Sequence, residues 1–381
     1  MNTLERVCWS VMVAALGCAI GATSFAQGPR ARALGIPFDG TPGSFNAITD
    51  VEGVTVGYST LIGGEGEHAV RTGVTAILPR GSSTTSKPVF AGVFSLNGNG
   101  EMTGTRWIEE SGFLEGPVLI TNTHSVGVAR DAAIQWRIRQ GAADASGYWW
   151  SLPVVAETWD GELNDINGFH VRPEHVFTAL ESAHGGAIAE GNVGGGTGMI
   201  CHEFKCGTGT SSRVVKVDRN EYRLGVLVQA NYGVRGELRI AGVPVGKVLQ
   251  NDLLWSEPKD TGSIIVAIAT DAPLLPHQLK RLARRASLGL ARNGSYSGNG
   301  SGDIFIAFST ANEAANQVST ASLTALGNEQ LDPLFLATVQ AVEESIINAM
   351  IAAEPMTGYQ GHKAAAIDHK ALIKLLKKTV R

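Results

Sequence analysis

The 381-residue chain has few charges, 17% of its residues, and they nearly cancel: 31 Lys and Arg against 35 Asp and Glu leave a net charge of −4. That balance gives no electrostatic reason to expect nucleic acid as a partner. The familiar catalytic signatures are also missing. There is no G-x-S-x-G elbow, no P-loop and no H-E-x-x-H pair, and Gly194 to Gly198 lack the spacing of a dinucleotide-binding turn. The nine histidines are scattered. His170 and His175, five apart, would not share a helical face, so a Ser-His-Asp triad has no local support and no metal site is expected. Long apolar runs are absent beyond the N-terminus, so no later segment reads as a membrane span.

Cysteine is scarce, with four residues, and two of them, Cys8 and Cys18, fall in a leader. Arg6, an apolar stretch from Cys8 to about Ala22, and Ser24-Phe25-Ala26 before Gln27 read residues 1–26 as a signal peptide. The competing readings are an uncleaved anchor, or a lipoprotein site at Cys18 with Ala15 and Leu16 in the wrong order. The expected home of the mature chain is therefore periplasmic or secreted, with no membrane after the signal is removed. Cys201 and Cys206 remain. They pair if the segment between them is a tight hairpin, and point to opposite faces if it is one extended strand.

What the chain does have is apolar residues, at 44%, and glycine, at 47. The first supports a substantial core and the second many tight turns. After a Pro/Gly-rich arm from Gly28 to Ser44, strands are expected at 54–58, 72–78, 89–96, 118–121, 222–230, 263–270 and 304–308. Helices are expected from Ser125 to Gln140, Pro173 to Ala183, Pro276 to about Ala291, Pro333 to about Ala352 with Asp332 as cap, and from near Asp368 to the end. Strands and helices mix throughout, which predicts one α/β domain. Its best internal breakpoint is the polar connector Glu257 to Gly262.

That connector ends in Gly262-Ser263-Ile264-Ile265-Val266, a serine heading a β-prone run directly after a glycine. Breaking the Gly262–Ser263 bond would give Ser263 a free α-amine, whose reference pKa is about 7.7–8.0. A serine with such an amine carries its own general base. On spacing alone, the same residues also describe a plain turn.

Eight blocks of the chain resemble the family of L-aminopeptidase/D-esterases and β-peptidyl aminopeptidases, the DmpA/BapA type. They are residues Asn97 to Gly104 (NGNGEMTG), Thr121 to Gly127 (TNTHSVG), Glu157 to Gly161 (ETWDG), Gly195 to Met199 (GGTGM), Gln229 to Gly233 (QANYG), Gly262 to Ile265 (GSII), Ala269 to Leu274 (ATDAPL) and Ser301 to Asp303 (SGD). In order, they span nearly the whole mature chain. The resemblance implies a four-layer αββα sandwich like that of the N-terminal-nucleophile hydrolases. It implies self-cleavage between Gly262 and Ser263 into an α chain, 27–262, and a β chain, 263–381. The pairs would assemble as a homotetramer acting on small peptides or amides without a cofactor.

The same resemblance assigns roles. Ser263 is the nucleophile and Asn231 the oxyanion donor, an interaction typically worth about 3–4 kcal/mol. Ser301 and Asp303 hold the Ser263 amine, and Glu157 receives the substrate's ammonium group. Trp159 stands where the family has tyrosine and Cys206 where glycine is expected, so the pocket and the cysteine pairing depart from the pattern. Asp303 matches the aminopeptidase/D-esterase branch. Two other classes stay open: an acyltransferase of similar fold, and a non-catalytic exported binding protein.

Overall fold

Short alternating runs of β-branched residues, separated by glycine turns, make the strands, and longer amphipathic runs make the helices. The structure, a computed structural model, describes residues 28–141, 150–256, 262–316 and 319–379. The leader read over residues 1–26 and most of the connector, 257–261, lie outside them. In chain order the elements are β1 (Thr55–Gly63), β2 (Val70–Leu78), β3 (Val89–Gly98), α1 (Thr105–Ser111), β4 (Phe113–Leu114), β5 (Val118–Asn122), α2 (Val126–Arg139) and β6 (Val154–Thr158). Then follow α3 (Pro173–Glu181), β7 (Ile200–Cys201), β8 (Phe204–Lys205), β9 (Thr208–Val217), β10 (Asn220–Asn231), β11 (Ser263–Thr270) and α4 (Pro276–Arg292). The chain closes with β12 (Gly302–Ser309), α5 (Asp332–Ile351), β13 (Met356–Thr357), β14 (Lys363–Ala364) and α6 (His369–Thr379).

Two sheets carry the fold. One has the order β1-β2-β5-β6, the other β4-β3-β12-β11-β10-β9. The period-2 alternation of the strands sorts their side chains into layers. In β11, Ile264, Val266 and Ile268 face α4 and α5, packing with Leu279, Leu282, Ala286, Val342 and Ile346. Ile265, Ala267 and Ala269 face the other sheet and meet Val56, Ile77, Ile120 and Ala156. On the far side of the smaller sheet, Val74, Ala76 and Leu119 pack on Ala129, Trp136, Val176 and Leu180 of α2 and α3. Helices, sheet, sheet, helices is the expected αββα sandwich. Its central strand, β11, is buried on both faces along its length.

The arm docks against this frame. Arg30 pairs with Glu190 and Arg32 with Glu344, both at 2.8 Å, and Arg213 closes on Glu344 at the same distance. Glu344 is fully buried, so the two guanidiniums supply the compensation that a buried carboxylate needs.

Two expectations change. Asp332 is the first residue of α5 rather than its cap, and the preceding Leu331 makes no side-chain cap bond; the acid still suits the positive end of the helix. Strands β6 and β9 are not among the expected strands, and in β9 the run of Thr208, Thr210, Ser211 and Ser212 lacks the apolar alternation of a strand. All four are buried, their hydroxyls spent on backbone carbonyls and on Asp50. Among the described residues α5 alone is long and apolar enough to cross a membrane, with a mean hydropathy of 1.3. It is a core helix instead, buried between β9, β10 and α4.

Helix α5 approaches the sheet through Gly209, where a Cβ would sit 2.0 Å from the Ser345 carbonyl oxygen and 2.6 Å from the Ala349 nitrogen. A side chain there pushes helix and strand apart. Gly209→Val is expected to destabilise the protein by about 1–3 kcal/mol, read as a lowered unfolding midpoint in denaturant.

Candidate active site

Strands β10 and β11 run antiparallel with Asn231 directly opposite Ser263. Both side chains belong to the face turned toward the smaller sheet, as the alternation of Leu227, Ile265 and Ala267 shows. Both are buried. Ser263 Oγ accepts a hydrogen bond from the Gly302 N–H at 3.1 Å. β12 lies parallel to β11 and sets Asp303 beside Ile264, one residue from the serine. Ser301 Oγ donates to Asp303 Oδ1 at 2.7 Å, and both residues are buried. The expected pair of Ser301 and Asp303 is thus in contact at the head of the serine's strand.

The Asn231 carboxamide is held at both ends. Its Oδ1 accepts from the Ile200 N–H at 2.9 Å and its Nδ2 donates to the Trp159 carbonyl at 2.8 Å. An N–H only donates and a carbonyl only accepts, so the amide has one consistent orientation. Nδ2 keeps its second hydrogen for another acceptor.

Glu157 lies in β6, paired with Thr121 of β5. One carboxylate oxygen accepts from the Glu101 N–H at 2.9 Å, the other from the Thr123 hydroxyl. Burial raises its pKa above the usual carboxylate value, and those two bonds only partly oppose the shift. Gly100 connects this carboxylate to the serine. A Cβ on Gly100 would lie 3.3 Å from Glu157 Oε1 and 3.3 Å from Cα of Gly302, the residue whose N–H meets Ser263.

Trp159 enters differently from the other predicted residues. Its backbone carbonyl fixes Asn231, while its indole is 41% exposed. The ring lines a small cleft with Trp255, Ile200, Glu203, Asn231 and Gly262. Gly262 itself presses on β10, since a Cβ there would fall 1.8 Å from the Asn231 carbonyl oxygen. Only glycine fits that position.

Next to the site, Asp160 is fully buried and accepts from Asn122 Nδ2 at 3.1 Å and from Asn164 Nδ2 at 3.0 Å. Burial pushes its pKa up to about 6. Asn122 also caps the 3-10 turn Thr123–Ser125 that leads into α2, accepting the Ser125 N–H at 2.9 Å, which sets the chain direction through Thr123.

Cys201 and Cys206 form a disulfide across the hairpin β7–β8. The hairpin alternative holds because the two turn residues, His202 at φ 48° and Glu203 at φ 60°, take the left-handed conformations of a tight two-residue turn. Lys205 is fully buried in this hairpin, where desolvation pulls its pKa down to about 7. Its ammonium donates to the carbonyls of Met199 and Cys206 at 2.9 and 2.6 Å.

All the predicted site residues therefore gather where one end of the two sheets meets. The sequence reading missed the backbone groups among them: the N–H of Gly302, that of Ile200 and the carbonyl of Trp159. Residue type carries no signal for such groups. It also missed Asp160 and Asn122, although both lie inside the blocks that carried the resemblance.

The model for peptidase family S58 matches residues 46–364 of the chain. The chain belongs to peptidase family S58. It is 52% identical to the β-peptidyl aminopeptidase BapA of Sphingosinicella microcystinivorans, over 95% of each chain. Among solved structures it is similar to the L-aminopeptidase D-Ala-esterase/amidase of Ochrobactrum anthropi, described as a variant of the Ntn hydrolase fold. That match has a TM-score of 0.88 and 50% identity over 93% of this chain and 99% of that one. A Burkholderia sp. β-aminopeptidase matches with a TM-score of 0.84 and 49% identity, over 92% and 99%. The αββα sandwich is thus the Ntn-hydrolase variant that the residue blocks led us to expect.

Asp160 makes stability depend on pH in a defined direction. Its folded pKa of about 6 lies above the unfolded value of about 3.9. Its neutral form is therefore favoured by folding, and that contribution is complete below about pH 4 and lost as pH rises through about 6. The unfolding free energy of the parent minus that of Asp160→Asn is expected to fall over this window by roughly 3 kcal/mol at most. Denaturant titrations from pH 4 to 7 measure it, and a difference that grows with pH contradicts the assignment.

Proposed function

We propose that this S58 peptidase cuts its own backbone between Gly262 and Ser263 and uses the new N-terminal serine to release N-terminal residues from small peptides, amides and esters. The observation that carries the reading is the pairing of a buried serine, heading the central strand, with a carboxamide locked opposite it and a carboxylate one glycine away. The names of its relatives, β-peptidyl aminopeptidases and an L-aminopeptidase D-Ala-esterase/amidase, support aminopeptidase chemistry on β-amino acids or small L-α-amino acids. They do not favour an acyltransferase or a non-catalytic binding protein.

The chemistry follows from the placement of the groups. In self-cleavage, Ser263 Oγ attacks the Gly262 carbonyl, and the acyl group passes from nitrogen to oxygen before water releases it. In turnover, the freed α-amine of Ser263 takes the hydroxyl proton as Oγ attacks the substrate carbonyl. The second Nδ2 hydrogen of Asn231 faces the oxyanion that forms. The amine returns its proton to the leaving group, and water hydrolyses the acyl-enzyme. Ser301 and Asp303 orient the amine. Glu157 pairs with the substrate's ammonium group, which limits cleavage to free N-termini. Trp159 and Trp255 shape the wall of the cleft.

Export of residues 27–381 to the periplasm or beyond, and assembly as a tetramer of cut pairs, belong to the same reading. The Cys201–Cys206 disulfide supports export, since such bonds persist in oxidising compartments.

Electrophoresis of the purified protein is expected to show two chains, the smaller with Ser263 as its first residue by N-terminal sequencing. Ser263→Ala should run as one chain and show no turnover. An active enzyme with residues 262 and 263 still joined rejects the mechanism.

Glu157 sets a second test. Because burial raises its pKa, the carboxylate protonates as pH falls through that raised value, and KM for substrates with a free ammonium group should rise there. Glu157→Gln should raise KM about 10–100-fold, the loss of a charge-assisted pair, and abolish this pH dependence of KM. The acid limb of kcat, set by the Ser263 amine, should stay.

A further inference from the structure

We infer that the Cys201–Cys206 disulfide is a positioning element of the oxyanion site, acting through the Ile200 N–H on the carboxamide of Asn231. The inference rests on the oxyanion role proposed above for Asn231.

In the β7–β8 hairpin, Cys201 pairs with Phe204 and Ile200 with Lys205. The N–H of Cys206 returns to the Met199 carbonyl at 3.0 Å. In an antiparallel ladder, hydrogen-bonded and non-hydrogen-bonded pairs alternate. With positions 199 and 206 bonded, the pair 200 and 205 is of the outward kind. The Ile200 N–H therefore points away from its own hairpin and toward Asn231 Oδ1. Without that donor, the Trp159 carbonyl alone would orient the carboxamide.

Each strand of the hairpin is two residues long, too short to hold its geometry by backbone bonds alone. Three devices hold it. The disulfide joins the residue after Ile200 to the residue before Gly207. The Lys205 ammonium ties the carbonyls of Met199 and Cys206 together. The Arg235 guanidinium lies 3.4 Å over the Phe204 ring while binding the His202 and Glu203 carbonyls. The Met199 carbonyl and the Ile200 N–H share one peptide plane, which the Lys205 and Cys206 donors hold on one side and the disulfide closes from the next residue on the other. Backbone bonds join both ends of the bridged segment to the strand that carries Asn231: the Gly207 carbonyl accepts the Ala230 N–H at 2.9 Å and the His202 N–H reaches the Tyr232 carbonyl at 2.7 Å. The bridge ties these two anchor points to each other through the residue before each.

The test is a double-mutant cycle on the full-length chain, combining Cys201→Ala/Cys206→Ala with Asn231→Ala and reading kcat and KM for a β-alanyl or L-alanyl p-nitroanilide. Affinity for a peptide aldehyde, which forms a tetrahedral adduct on serine, is read beside them. Removing the disulfide should lower kcat about tenfold, leave KM within twofold and weaken the aldehyde by the same factor as kcat. In the Asn231→Ala background the same removal should change kcat by less than twofold, since neighbours acting through one group are non-additive. Where a variant arrives uncut, the rate of self-cleavage is read in place of kcat. Where the double alanine variant is insoluble, the cut parent enzyme is reduced with a phosphine under mild denaturant, returned to buffer and alkylated. Its thiols are then counted by mass and the same constants measured.

Unchanged kcat and aldehyde affinity without the bridge overturn the inference, as does a loss of equal size with and without Asn231. If Asn231→Ala alone leaves kcat intact, the oxyanion reading itself fails, an outcome distinct from the other two.

Discussion

The site depends on one constraint: a serine that begins a strand must have the partners of that strand arranged around its first residue. β11 is the central strand of a buried sheet, so its end cannot move to meet the chemistry. Everything else comes to it. The antiparallel neighbour delivers Asn231 at the same register, and the parallel neighbour delivers the Gly302 N–H and the Ser301–Asp303 pair. A one-residue slip in either pairing would turn these groups to the opposite face. The apolar alternation of β10, β11 and β12, packed between a helix layer and a second sheet, prevents that slip.

The seam between the sheets is apolar through most of its length and polar at this end. Gln229, two residues before Asn231, crosses the seam to donate to the Thr121 carbonyl and the Thr158 hydroxyl at 3.0 and 2.8 Å. Asp160 and Glu157 are buried beyond it, each met by amide or hydroxyl donors in place of a cation. Such carboxylates are costly in their charged form, which explains their raised pKa values. For Glu157, in the proposed function, the substrate's ammonium group would supply the missing cation, which would turn the cost of burial into selectivity for that group. For Asp160 the donors are Thr72, Asn122 and Asn164, and the outcome is a fixed path for the chain from β5 into α2.

The β7–β8 hairpin illustrates how a small peripheral element can govern a central one. It contributes a single N–H to the site, yet it concentrates a disulfide, a buried lysine and a stacked arginine. That much bracing on four strand residues fits a segment whose backbone geometry matters more than its side chains.

Much of this was legible before the structure. The apolar periodicities located β11 residue for residue and α2, α3, α4 and α6 to within a few residues, because burial on one helical stripe or two strand faces leaves a strong pattern. Blocks such as Gln229 to Gly233 and Ser301 to Asp303 marked the site residues and the fold family. β9 escaped because its buried hydroxyls find partners only after α5 and Asp50 are in place. Asp332 was misplaced by one residue at the start of α5, since an acid suits the cap and the first turn alike. The cysteine pairing stayed open because it turns on the left-handed backbone of His202 and Glu203, residues that seldom adopt it. By itself, then, the sequence determined the central strand and the longer helices, since these rest on side-chain type and local spacing, while its resemblance blocks carried the fold family and the class of chemistry. Only the tertiary structure decided how the site is held: the N–H of Gly302, the N–H of Ile200 and the carbonyl of Trp159 are backbone groups. Their direction is a property of strand register and not of residue identity.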